Sequence, residues 1–100
     1  MALMGGDGED RSCLHAVVRG DVQGVGFRYF VERRAEQAGL AGWVRNRADG
    51  TVECLVAGPR RELEHLVDEL RRGPGMAEVE SVDIEWRGDC GELAGFRVRG

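Results

Sequence analysis

Residues 20–28 read Gly-Asp-Val-Gln-Gly-Val-Gly-Phe-Arg, a glycine-rich stretch that joins two segments of different hydrophobic period. Before it, apolar residues alternate at Leu14, Ala16 and Val18, which predicts a strand. After it, apolar residues recur at helical spacing from Phe27 to Ala38, which predicts a helix. The glycines permit a tight turn between the two and can direct several backbone N–H groups inward. The stretch therefore predicts a strand–turn–helix unit.

The rest of the chain continues this alternation of strands and helices. The predicted elements are strands over residues 43–47 and 51–57 joined by a turn at 48–50, a helix that begins at 58–59 and stops at 73–75, a strand over 81–86 and a short strand over 96–99. Each helix has one apolar stripe and each strand one apolar face. We therefore predict an α+β fold, a ferredoxin-like α/β sandwich of order βαββαβ with both helices on one face of a mostly antiparallel sheet.

Composition narrows the classes of function. The chain has 100 residues, enough for one domain, and its formal net charge is −4 with arginine as its only basic residue apart from two histidines. We expect no nucleic-acid partner, because such domains carry a basic surplus, and no membrane span, because no apolar run approaches about 20 residues. We expect residues 1–11 to be a flexible acidic tail, which does not resemble a signal peptide. We expect residues 12–100 to form the domain, and the protein to be monomeric and cytoplasmic.

The cysteines and histidines do not form a recognisable metal or redox site. Cys13, Cys54 and Cys90 include no Cys-x-x-Cys pair, so we predict no zinc site and no metal or other cofactor. We expect three reduced thiols, as in most cytoplasmic proteins, with one disulfide and a remaining thiol as the alternative. His15 and His65 are predicted to lie at the surface or the edge of the core.

Arg28 makes the glycine-rich stretch more informative than a turn. The stretch lacks the Lys-Ser/Thr of a P-loop and the Gly-x-Gly-x-x-Gly spacing of dinucleotide-binding folds. Arg28 falls in the first turn of the predicted helix, where a lone cation is unfavourable because the helix dipole is already positive. An anion held between the loop N–H groups and the guanidinium would reverse that effect. We therefore predict a phosphate-binding loop.

Two segments resemble the signatures of the acylphosphatase family. They are Gly20-x-Val22-Gln23-Gly24-Val25-x-Phe27-Arg28, and Gly42-Trp43-Val44-Arg45-Asn46-x-x-x-Gly50-x-Val52 followed by Gly58. The resemblance extends from about Leu14 to Arg99. It implies a small-molecule substrate, an acyl phosphate, whose carboxyl–phosphate anhydride is hydrolysed to a carboxylate and inorganic phosphate without a metal.

The resemblance also implies roles for individual residues. Arg28 and Asn46 are the implied catalytic residues, Arg28 as a phosphate ligand and Asn46 as the group that orients the attacking water. The implied substrate-binding residues of the loop are Gly20, Asp21, Val22, Gln23, Gly24, Val25, Gly26 and Phe27. Asp21 stands where the family often has a basic residue, and we expect it to point to solvent. Arg47 and the non-aromatic end of the chain are further departures from many relatives.

Other functions on this fold remain open at this point. The main alternative is a non-catalytic phosphate or phosphometabolite-binding module, which would bind without turnover. An RNA-recognition domain is not favoured, because residues 51–57 lack its basic and aromatic sheet motif. Kinship with the acylphosphatase-like domain of larger hydrogenase-maturation proteins is less favoured, since no zinc-finger segment follows. Acetyl phosphate, carbamoyl phosphate and 1,3-bisphosphoglycerate share the reactive group, and the sequence shows no specificity pocket.

Overall fold

The structure, a computed structural model, describes residues 10–100. Its elements are β1 (Arg11–Asp21), α1 (Phe27–Gln37), β2 (Ala41–Asn46), β3 (Val52–Pro59), α2 (Arg60–Arg72), β4 (Glu78–Arg87) and β5 (Phe96–Arg99). The sheet order is β4-β1-β3-β2-β5, with every neighbouring pair antiparallel except β2 and β5. The predicted ferredoxin-like α+β fold is confirmed. The predicted tail over residues 1–11 lies outside the described residues except for its last two, of which Arg11 begins β1.

One face of the sheet and the two helices enclose the core. The alternating residues Leu14, Ala16 and Val18 of β1 are fully buried, as their period predicts. The buried residues of the helices are Phe27, Val31 and Ala35 of α1, and Leu63, Leu66, Val67 and Leu70 of α2. No helix within residues 10–100 is both long and apolar enough to span a bilayer.

Several strands extend beyond their predicted ends: β2 begins at Ala41, and β3 continues to Pro59, so α2 begins at Arg60 and not at 58–59 as predicted. The largest extensions are those of β1 and β4. β1 continues through Gly20 and Asp21, and β4 begins at Glu78, because these ends pair with each other beyond an irregularity between Arg19 and Gly20. Gly20 has a φ of +134°, and a side chain there would collide with the backbone oxygen of Glu78. Alternating glutamates hide the start of β4 from a hydrophobic pattern, so only the pairing with β1 reveals it.

The prediction of three reduced thiols is wrong. Cys13 of β1 and Cys90 of the β4–β5 connection form a disulfide, and Cys54 is the free cysteine. The two residues lie 77 positions apart, so their spacing gives no sign of proximity. They meet because Cys13 lies opposite Arg87 in the β1–β4 pair, just before the chain reaches Cys90. Burial raises the pKa of the Cys54 thiol to about 12, so this cysteine stays protonated.

Reduction of the Cys13–Cys90 disulfide is expected to lower the free energy of unfolding by about 2–4 kcal/mol, because the bond closes a long loop in the unfolded chain. Urea unfolding followed by tryptophan fluorescence, with and without reductant, measures the difference. The double variant Cys13→Ser/Cys90→Ser is the control, since its midpoint should not respond to reductant. If the urea midpoint of the native chain were as insensitive to reductant as that of the double variant, the prediction would be wrong.

Candidate active site

The turn from β1 into α1 leaves a helix end that no side chain caps. Gly24 and Gly26 have φ values of +77° and +80°, which glycine adopts without strain. Gly26 is the N-cap of α1 and provides no capping side chain. The first N–H groups of a helix have no acceptor within it, and with the helix dipole they favour an anion. The start of α1 therefore has the backbone arrangement of an anion site.

A cavity of about 380 Å³ lies at this end of α1. Both predicted catalytic residues, Arg28 and Asn46, line it together with four residues of the glycine-rich stretch, Val22, Gly24, Gly26 and Phe27. Arg28 comes from the first turn of α1, and Asn46 is the last residue of β2. The fold thus places a guanidinium, an amide side chain and a helix N-terminus around one space.

The other four residues of the predicted phosphate-binding set do not line this cavity. Gly20 and Asp21 belong to β1, where Gly20 packs against β4 and the Asp21 side chain is exposed, as expected. Val25 packs against the core. The Val22 side chain is also buried, with 1% of its surface exposed, so only its backbone can meet a ligand.

Gln23 joins the loop to the turn that follows Asn46. Its side-chain amide nitrogen donates to the backbone oxygen of Arg47 at 2.7 Å and to that of Thr51 at 2.9 Å. Both side-chain N–H bonds are thereby used, so a phosphate contact at Gln23 has to come from its backbone. This bridge fixes the β2–β3 turn relative to the loop, and hence Asn46 relative to the helix end.

The Arg28 side chain is oriented by the last strand. Its Nη1 donates to the backbone oxygen of Arg99 in β5 at 3.1 Å. That acceptor is neutral, and it is the one hydrogen-bond partner of the Arg28 side chain within residues 10–100. A guanidinium has five N–H donors, so most of them remain for a ligand. The carbonyl of β5 can hold Arg28 in place without neutralising its charge.

A buried carboxylate supports the strand that carries Asn46. Glu53 of β3 lies opposite Arg45 and accepts from its Nε at 2.7 Å, while His15 donates to the other oxygen, also at 2.7 Å. Burial alone would raise the pKa of Glu53, but the hydrogen bonds from His15 and Arg45 bring it below its usual value. Glu53 therefore stays ionised and holds Arg45, the residue before Asn46.

Neither histidine lines the active-site cavity. His15 contacts Glu53 on the sheet face opposite the helices, and His65 is exposed on α2. Within residues 10–100, no three side chains of His, Cys, Asp or Glu come together as a metal site would require. Tyr29, Glu32 and Val98 also line the cavity, although the sequence motifs gave no sign of them.

Comparison with known proteins agrees with this architecture. The family model described as acylphosphatase matches residues 14–98. The acylphosphatase of Koribacter versatilis is 54% identical over 84 residues, covering 84% of this chain and 76% of the relative, and that of Moorella thermoacetica is 51% identical over 85 residues, covering 85% and 90%. The crystal structure of the Bacillus subtilis acylphosphatase superposes with a TM-score of 0.86 at 36% identity, covering 89% of this chain and 99% of the other. A match over nearly all of the domain, in sequence and in fold, means that this chain belongs to the acylphosphatase family.

Proposed function

We propose that the protein hydrolyses acyl phosphates to a carboxylate and inorganic phosphate at the cavity beside the start of α1. The observation that carries the proposal is the meeting of Arg28, Asn46 and the uncapped helix end at one cavity, in a chain of the acylphosphatase family. The phosphoryl group would lie against the N–H groups of the loop and the first turn of α1. The Arg28 guanidinium would bind two of its oxygens with its planar fork.

The reaction needs little acid–base assistance in this proposal. Water forms a bond to phosphorus while the bond between phosphorus and the acyl oxygen breaks, and the carboxylate leaves with the electron pair. A carboxylate is a good leaving group, so positioning and electrostatic stabilisation supply most of the rate. Asn46 would hold the water through its amide oxygen and nitrogen, and the proton of the water would pass to a phosphate oxygen.

Hydrolysis of benzoyl phosphate, followed by its loss of ultraviolet absorbance, tests the proposal. We expect turnover by the native chain that persists in the presence of a chelator, because the proposed mechanism uses no metal. The non-catalytic alternative gives a different result: inorganic phosphate would bind, as calorimetry would detect, while benzoyl phosphate stayed intact. That outcome would leave the fold unchanged and refute the enzymatic function.

The monomeric state and the cytoplasmic location are further parts of this proposal, and both stay predictions. The Cys13–Cys90 disulfide argues against a cytoplasmic location, because disulfides are rare in proteins of reducing compartments. The reaction itself does not depend on either property.

A further inference from the structure

The active-site cavity is larger than a phosphate group requires. Beyond Arg28 and Asn46, its wall includes Tyr29 and Glu32 of α1 and Val98 of β5. A phosphoryl group bound at the helix end would fill only part of about 380 Å³. The remaining space adjoins the phosphate position, so it is where the acyl group of a substrate would lie.

Two of the wall residues are apolar side chains that the fold leaves exposed. Tyr29 is 71% exposed and Val98 is 39% exposed. Within residues 10–100, the one other large hydrophobic side chain with comparable exposure is Met76, outside this cavity. Single exposed apolar residues are ordinary, but a pair at the mouth of a ligand cavity indicates contact with an apolar part of the ligand.

Glu32 gives the same region a negative charge. It lies one helical turn after Arg28 and is partly buried, and it forms no ion pair within residues 10–100. Arg28 donates to Arg99 instead. Arg33 and Arg34 line a neighbouring cavity, which shares Gly26 and Tyr29 with this one, but they do not line the active-site cavity itself. With Arg28 occupied by the phosphoryl oxygens, Glu32 is the remaining charged side chain in the wall of the active-site cavity.

We propose that Tyr29, Glu32 and Val98 form an acyl subsite, which selects acyl phosphates with uncharged, apolar acyl groups and disfavours those that carry a second negative charge. This inference rests on the proposed function. Tyr29 and Val98 gain apolar contact with the acyl group. A carboxylate or second phosphate on that group would meet Glu32 at short range, where like charges repel with only partial screening. Selectivity then comes from an attractive and a repulsive element together.

Glu32 is tested with two substrates that differ by one carboxylate, benzoyl phosphate and 4-carboxybenzoyl phosphate. The native chain should prefer benzoyl phosphate in kcat/KM. In Glu32→Gln, the ratio of kcat/KM for the carboxylated to the uncharged substrate should rise about five-fold, because the repulsion is lost. The matched control is Glu36→Gln, an exposed glutamate of the same helix outside the cavity, which should leave this ratio unchanged.

The ratio of kcat/KM for the two substrates distinguishes a role of Glu32 in substrate selectivity from a role in orienting Arg28. If Glu32 acted only by orienting Arg28, both substrates would lose activity equally and the ratio would stay constant, which would overturn the proposal. Inhibition by inorganic phosphate gives a second readout, since phosphate does not reach the acyl subsite. A changed inhibition constant with an unchanged substrate ratio would also count against a selective role.

Tyr29 is tested with a large and a small acyl group. In Tyr29→Ala, kcat/KM for benzoyl phosphate should fall about five- to ten-fold, mainly through KM, whereas that for acetyl phosphate should fall much less. Met76→Ala removes an exposed side chain elsewhere and is the control. If kcat/KM fell equally for benzoyl phosphate and acetyl phosphate, the proposed apolar contact between Tyr29 and the acyl group would be wrong. If the native chain hydrolysed both substrates and neither variant changed the ratio of kcat/KM between its two substrates, only the acyl subsite would be refuted. If the native chain hydrolysed no acyl phosphate, the proposed function and the subsite would both be refuted.

Discussion

Replacement of Arg28 by alanine is expected to lower kcat/KM for benzoyl phosphate by at least about 10²- to 10³-fold, which is the cost of removing one preorganised donor from a developing oxyanion. Arg28 would contribute both a full charge and a planar fork of donors to the transferring phosphoryl group. Its position reinforces the expectation, because a lone cation in the first turn of α1 is unfavourable without an anion. Steady-state hydrolysis, with thermal unfolding as a check on folding, measures the loss.

Two further variants separate charge, geometry and general surface effects at Arg28. Arg28→Lys keeps the charge but not the fork, so its activity should lie between those of the native chain and the alanine variant. Arg33→Ala removes an exposed arginine of the same helix that does not line the active-site cavity, and it should stay within about two-fold of native activity. Retention of more than a tenth of native activity by Arg28→Ala would show that the proposed role is wrong.

Most of the fold was predictable because it depends on local patterns. The alternation in β1 and the helical spacing after Phe27 place the strand–turn–helix unit correctly, and the predicted turn contains Gly50 at a φ of +92°. Features that depend on pairing between distant segments were not predictable. The start of β4 is visible only beside Gly20, and the Cys13–Cys90 bond only once β1 lies beside β4.

The candidate active site also has parts that the sequence predicts and parts that depend on contacts between distant segments. Arg28 and Asn46 belong to motifs that can be read from the sequence, and the structure brings both to one cavity. The Gln23 side chain could not be distinguished from a ligand, because its hydrogen bonds go to carbonyl groups of a turn far along the chain. Glu32 lies one helical turn after Arg28, so the helix alone makes the two neighbours, but only the packing of α1 in the fold shows that Glu32 lines the cavity. Val98 comes from β5, and tertiary packing alone brings it near Arg28.

Replacement of Asn46 by alanine is expected to reduce kcat by about 10²- to 10³-fold while changing the inhibition constant for inorganic phosphate little. The two readouts should separate because Asn46 would act on the water, while Arg28 and the backbone N–H groups would hold the phosphate. Asn46 ends β2 beside a turn that Gln23 bridges to the loop, so the amide has a fixed support and only the side chain is removed.

Controls for Asn46 come from the same position and from the next residue. Asn46→Asp keeps an oxygen acceptor but replaces the N–H donor with a negative charge beside the phosphate, so it should both lower kcat and weaken phosphate inhibition. Arg47→Ala removes only a side chain outside the cavity, since the Arg47 backbone oxygen still accepts from Gln23, and should stay within about two-fold of native activity. If Asn46→Ala weakened phosphate inhibition as much as it reduced turnover, Asn46 would be a phosphate ligand. Another group would then have to position the attacking water, and the backbone groups of the β2–β3 turn would be the first candidates.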